Sequence, residues 1–305
     1  MEQMYQTQDG VNVREVTYDT GRGGDPVEIV HISDIHFNKL SLRDMIEHNP
    51  STISTFDARG MCAYGRSVLN LRPCLAYAAN ADQLVVTGDT LDYLTDGALA
   101  MLDTYIWQPF PDALVSLGNH DSMRTMGLPG TVEDSTAREE RYALLQSRWK
   151  HDVYYTARVL KDKVTVIQLD DGPGHFWDRQ LAPLARDIAE ARNAGRIVLL
   201  FMHDPLCSRN PAEHPLKAFG ASCAHDAVEL YEGGVGYRAD GATAAVYDLI
   251  THNADVVRGV FCGHRHSSMR SEILAQTPDG KQAIIPQYVV NGVYSKPFAI
   301  RITVK

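Results

Sequence analysis

Short apolar, β-branched runs recur along the chain, and most of them end abruptly in Asp, His or Asn. Val27 to Ile32 is followed by Asp34-Ile35-His36, and Leu84 to Thr87 by Gly88-Asp89-Thr90-Leu91-Asp92. Ala113 to Leu117 is followed by Gly118-Asn119-His120-Asp121, and Ile197 to Met202 by His203-Asp204. Val256 to Cys262 leads into Gly263-His264-Arg265-His266. Runs of this length and composition predict buried strands. Strands are expected over 27–32, 83–87, 113–117, 153–157, 164–169, 197–202, 256–262, 269–275, 283–290 and 297–304. Helices are expected over 65–79, 95–106, 136–149, 178–194 and 240–253. The 178–194 segment is amphipathic near period 3.6, with Leu181, Leu184 and Ile188 on one face and Gly195 as a stop. Pro73 should delay or kink the first helix.

Strand and helix alternate over the first two-thirds, and the last forty or so residues are nearly all strand with turn signals such as Pro278-Asp279-Gly280. This order predicts an α/β fold of two packed mixed sheets flanked by helices, a four-layer αββα sandwich. Strands such as Ile197 to Met202, apolar on both faces, fit the position between a second sheet and a helix layer. The motifs run from Asp34 to His266 without a dividing linker, so a single domain over 1–305 is expected, with its core at about 27–300. Three stretches, 38–64, 121–135 and 204–239, each follow a motif and break the alternation. They are candidate rim or lid loops.

The net charge of −9 provides no basic field for nucleic acid or an anionic membrane. Met1 to Val13 has no apolar core of a signal peptide, and no apolar run approaches bilayer length. Five cysteines, Cys62, Cys74, Cys207, Cys223 and Cys262, form no CxxC pair. An odd count without pairing predicts no disulfide framework and a reducing cytoplasm.

The polar strand ends should meet at the carboxyl edge of the sheets, where open α/β folds bind ligands. Asp34 and His36 are two apart on what reads as extended chain, so both face one side, and His264 and His266 repeat that spacing. With Asp89, Asn119 and His203 the set comprises two carboxylates, four imidazoles and one amide. That is more than one metal ion needs and about right for two. Mixed N/O donors suit Mn, Fe, Zn or Co. His120 and Asp92 remain, a pair suited to a general acid and its orienting carboxylate. Each segment alone would be an ordinary turn; the five together in this order are specific.

The pattern D-x-H, G-D-x-x-D, G-N-H-[DE], H and G-H-x-H resembles that of the calcineurin-like metallophosphoesterase superfamily, over roughly 27–300. The resemblance implies one metal held by Asp34, His36, Asp89 and His266, and another by Asp89, Asn119, His203 and His264. It implies a bridging hydroxide that attacks phosphorus and His120, paired with Asp92, protonating the leaving oxygen. Protein Ser/Thr phosphatases of the superfamily carry an Arg after the second Asp, where this chain has Tyr93. Purple acid phosphatases place a metal-binding Tyr at the position of Asp92 and lack the His that is His36 here. The pattern is most similar to class III cyclic-nucleotide phosphodiesterases and related small-substrate bacterial enzymes.

The expected function is therefore a binuclear metal-dependent phosphodiesterase or phosphatase acting on a small phosphorylated substrate, with no nucleic-acid or membrane partner. A nuclease of the same superfamily, or a non-catalytic scaffold retaining the fold, are the alternatives. An anionic substrate needs cationic contacts, and Arg209, Arg238 and His225 in the 204–239 stretch are candidates.

Overall fold

A computed structural model describes residues 2–47, 50–60, 65–122, 135–172, 174–206 and 241–305. Twelve strands form two six-stranded sheets. The first has the order β1 (Glu2–Gln6), β2 (Asn12–Tyr18), β12 (Phe298–Val304), β3 (Val27–Ile32), β4 (Gln83–Thr87), β5 (Leu114–Ser116). The second runs β10 (Met269–Gln276), β11 (Gln282–Val289), β9 (Val257–Cys262), β8 (Ile197–Phe201), β7 (Val164–Leu169), β6 (Tyr155–Leu160). Strands β3, β4 and β5 are mutually parallel, as are β7, β8 and β9. All polar strand ends of interest therefore lie at carboxyl edges.

Side-chain alternation sorts the core into three layers. Val27 and Ile29 of β3 and Ile197, Leu199 and Phe201 of β8 point between the sheets, where Phe261, Tyr288, Ile300 and Ile302 join them. Val30 and Ile32 pack outward against helices α3 (Ser67–Ala78), α4 (Asp96–Leu102) and α5 (Ser135–Arg148). Val198, Leu200 and Met202 pack outward against α6 (Asp178–Asn193) and α7 (Gly241–Thr251). This is the expected αββα sandwich, and it explains why these strands are apolar on both faces.

The structure differs from the sequence expectation in several elements. Residues 2–18 form a hairpin, and β2 pairs in parallel with β12 along its whole length. Val11 and Val13 are fully buried although the segment around them reads as polar. The 38–64 stretch contains helices α1 (Leu42–Glu47) and α2 (Pro50–Arg59), with Pro50 in the first turn where its missing N–H costs nothing. Pro73 lies inside α3, which begins two residues after the expected start. Helix α4 opens with Thr95 Oγ1 accepting from Ala98 N at 3.1 Å and runs into a π-helical turn, Asp103–Trp107. Cys74 and Cys262 are buried free thiols, and the other three cysteines lie outside the described residues. Among the described residues no helix is long and apolar enough to cross a membrane.

Candidate metal centre

The carboxyl edges of the two sheets meet at one place. Gly263 N donates to His203 O at 2.9 Å, and His264 N donates to both carboxylate oxygens of Asp34 at 3.1 and 3.0 Å, tying the second sheet to the first. Beyond β3 and β4 the chains continue to pair as loops: Asp34 N bonds Gly88 O, His36 N bonds Asp89 O, and Phe37 N bonds Thr90 O, at 2.8–3.1 Å.

The Asp-x-His segments are not extended, contrary to the sequence expectation. Asp34, His36, Asp89, His264 and His266 all have positive φ, between 46° and 65°. Strands β3, β4 and β9 lead into left-handed turns, which Asp and His tolerate better than β-branched residues. The turn sends Ile35 into the core, fully buried, while Asp34 and His36 meet the same cluster. Strained residues gathered at one spot are characteristic of functional sites. Gly88 (φ 73°) and Gly263 make the approach possible: a Cβ on the first would strike the His203 ring, and one on the second Ser33 and Asp34.

Two groups of donor atoms form there and share Asp89. Asp34, His36, Asp89 and His266 offer ligand atoms within 4.8 Å of one another, and so do Asp89, His203 and His264. Asp89 Oδ2 lies 3.6 Å from His36 Nε2 and 3.4 Å from His203 Nε2. His36 Nε2 faces His266 Nε2 at 3.3 Å, and His203 Nε2 faces His264 Nδ1 at 3.2 Å and Asn119 Oδ1 at 3.3 Å. The outer nitrogens of three rings are engaged: His203 Nδ1 with Thr87 O (2.9 Å), His266 Nδ1 with the Tyr294 hydroxyl (2.9 Å), and His36 Nδ1 with Asp92 Oδ1 (3.3 Å). That leaves the inner nitrogens facing each other across the cluster. Rings held from behind, with imidazole and carboxylate donors converging in front, are what a metal pair requires. The donor set fits such a pair.

Electrostatics agree. Burial opposes the charge on Asp89, yet His203, His120 and His36 hold its carboxyl well below the usual range. Burial likewise opposes ionisation of Asp34, and His266 outweighs it. His36, buried, is pushed down. His203 is raised despite burial, chiefly by Asp89.

His120 and Asp92 sit beside the first group. His120, Asp92 and His36 also gather within 4.8 Å. His120 N donates to Asp89 Oδ1 at 2.9 Å, and its Nδ1 lies 3.0 Å from Asp92 O and 3.5 Å from Asp92 Oδ1. Burial opposes its charge, but Asp89 and Asp92 raise it to about 9. Arg209, Arg238 and His225 lie outside the described residues.

Several residues of the site were given no role from sequence. Asp121, fully buried, accepts from Leu91 N and Gly118 N at 2.7 Å each and staples the two motif loops together. Asp171 accepts from the backbone of His203 (2.9 Å) and Asp204 (3.1 Å). The signal for Asp171 was present: Val164 to Leu169 is another apolar run ending in two Asp residues. Asp204 Oδ1 meets His264 Nδ1 at 3.1 Å. Asn38, Arg59 and Tyr294 reach the site from loop and helix positions without a motif, and nothing in the sequence marks them.

A sequence profile described as calcineurin-like phosphoesterase matches residues 27–268. The chain belongs to this family. Calcineurin-like phosphoesterases are metal-dependent hydrolases of phosphoric esters, and the family implies a dimetal centre of the kind these donors fit. No curated protein sequence matches the chain. Among solved structures, a purple acid phosphatase from yellow lupin (Lupinus luteus) seeds superposes with a TM-score of 0.52 at 12% identity, covering 95% of this chain and 49% of that one. The chain thus spans about half the length of the lupin protein, and the likeness is one of fold. A dimetal phosphatase from Danio rerio superposes with a TM-score of 0.46 at 13% identity, covering 88% of this chain and 89% of that one.

Proposed function

We propose that this calcineurin-like phosphoesterase hydrolyses a small phosphodiester or phosphomonoester at a metal pair, with His120 as the general acid. The observation that carries the proposal is the pair of donor groups sharing Asp89 with His120 beside them. Asp34, His36, Asp89 and His266 would hold one ion, and Asp89, Asn119, His203 and His264 the other, with Mn, Fe or Zn as the candidate metals. Such a pair, when bound, supplies Lewis-acid neutralisation of phosphoryl oxygens and makes water a competent nucleophile at neutral pH.

The chain's own residues do the rest. Asp89 and Asp34 contribute the negative charge that concentrates cations, and Thr87 O fixes the His203 tautomer with its Nε2 lone pair toward the site. His120 donates its Nδ1–H to Asp92 O, so its exchangeable proton sits on Nε2. Asp89 and Asp92 favour the imidazolium, and a charged ring is ready to give that proton to a leaving alkoxide. Two features support a small substrate. Position 93 is a buried tyrosine rather than the arginine of the phosphoprotein phosphatases, and the net charge of −9 disfavours nucleic acid. A cytoplasmic location fits the free thiols of Cys74 and Cys262 among the described residues.

The test is to prepare the protein metal-free, restore Mn²⁺, Zn²⁺ or Fe²⁺, and compare rates on p-nitrophenyl phosphate, bis-p-nitrophenyl phosphate and cyclic AMP. Turnover is the expected result, with His120→Ala lowering the rate on cyclic AMP, whose leaving alkoxide needs a proton, by about a hundredfold or more and the rates on the p-nitrophenyl esters by less. No turnover with two ions bound would favour a scaffold.

A further inference from the structure

We infer that Arg59, at the end of α2, is a positioning residue that locks the Asp92 carboxylate and through it the rings of His120 and His36. The inference rests on the reading of His120 as general acid. Asp92 is fully buried and is the hub of the site's outer contacts. Its Oδ1 lies 3.3 Å from His36 Nδ1 and 3.5 Å from His120 Nδ1. Its Oδ2 accepts from Asn38 Nδ2 at 2.6 Å. Arg59 grips both oxygens, with Nε to Oδ2 at 3.0 Å and Nη2 to Oδ1 at 2.5 Å.

Without the fork, Asn38 would hold Oδ2 and Oδ1 would be fixed only by the two rings it orients. A guanidinium fork holds the plane itself. Burial works against the Asp92 charge, and His120, His36 and Arg59 together hold the carboxyl well below its usual range. Helix α2 is fixed so as to deliver this fork. Phe56 stands edge-on to the Tyr93 ring at 4.6 Å, and the Arg59 guanidinium lies over the same ring at 5.2 Å. Both Asn38 and Arg59 belong to the stretch between the first two motifs, so that insert completes the catalytic hub. Nε and Nη2 are committed to Asp92, and a lysine could not reproduce the fork.

The test uses Arg59→Lys and Arg59→Gln in the full chain, the second variant serving if the first fails to fold. Calorimetric Mn²⁺ titration of metal-free protein should show one of two ions bound about tenfold more weakly, because His36 is less well oriented. At saturating Mn²⁺, the rate on an alkyl phosphoester should fall about tenfold more than the rate on the p-nitrophenyl ester, because only a poor leaving group needs the proton from His120. The inference is overturned if both ions bind as before, or if KM rises equally for both esters with the leaving-group ratio unchanged, the result of a direct substrate contact. His120→Ala separates the two failures. If that variant leaves the ratio unchanged, the general-acid reading is wrong, and the Mn²⁺ titration alone then decides the role of Arg59.

Discussion

Asp89 stands between His36 and His203, at 3.6 and 3.4 Å, and also accepts the backbone N–H of His120. Asp89→Asn keeps its size and removes its charge, so metal analysis should find both ions depleted and activity down by more than about a hundredfold. His120 gives a pH prediction. Its folded value of about 9 lies above the ordinary 6.5, so the ring is protonated at neutral pH and the rate should fall as pH rises through its pKa. Bound cations nearby repel the imidazolium and move that alkaline limb below about 9. His120→Gln should abolish the limb in a kcat–pH profile. Asp170, just past the end of β7, offers a test of stability. Burial lifts its carboxyl from 3.8 to about 7, despite bonds from Trp177 Nε1 (2.7 Å) and Gly172 N (3.2 Å). A folded value above the unfolded one means that this contribution is full below about 3.8 and lost as pH rises through about 7. Urea unfolding at pH 5 and pH 8 should therefore show Asp170→Asn gaining on the native chain as pH rises. The clustering of the seven proposed donors, His120 and Asp92 was legible in the sequence because each ends or follows an apolar strand. The left-handed backbone of Asp34, His36, Asp89, His264 and His266 was not, since an Asp-x-His spacing looks the same on an extended chain as on a turn.

At the scale of elements, the strands buried on both faces were the easiest to read. Strands 27–32, 83–87 and 164–169 begin and end where expected, because continuous apolar runs have only one place to go. The β1–β2 hairpin was missed because β1, Glu-Gln-Met-Tyr-Gln, is a largely exposed edge strand that takes its register only from β2. Helix α2 was missed because Pro-Ser-Thr-Ile-Ser-Thr lacks both a helix-favouring composition and a periodic apolar face. Yet that helix supplies Arg59. The inter-sheet layer holds the two motif-bearing edges in register. Phe261, two residues before Gly263, stacks on Phe201 at 5.0 Å and on Tyr288 at 5.3 Å and is fully buried. Phe261→Ala should lower the unfolding free energy by about 3–5 kcal/mol in denaturant titration, with the cavity left between the sheets accounting for much of it.

The whole molecule is an acidic α/β sandwich whose two sheets contribute complementary halves of one site: Asp34, His36, Asp89 and Asn119 from the first, His203, His264 and His266 from the second. This division makes metal binding a report on the assembled fold, and ions that bind only the native state stabilise it by about 2.7 kcal/mol at a hundredfold excess over Kd. Under the proposed function, two ions sharing Asp89 are needed for phosphoester hydrolysis. Titration of metal-free protein with Mn²⁺, with bound metal and hydrolysis of bis-p-nitrophenyl and p-nitrophenyl phosphate followed together, tests it most directly. Activity should appear as the second equivalent binds, and Asp89→Asn should neither fill both sites nor turn over. Full activity at one equivalent, or from Asp89→Asn, would contradict it.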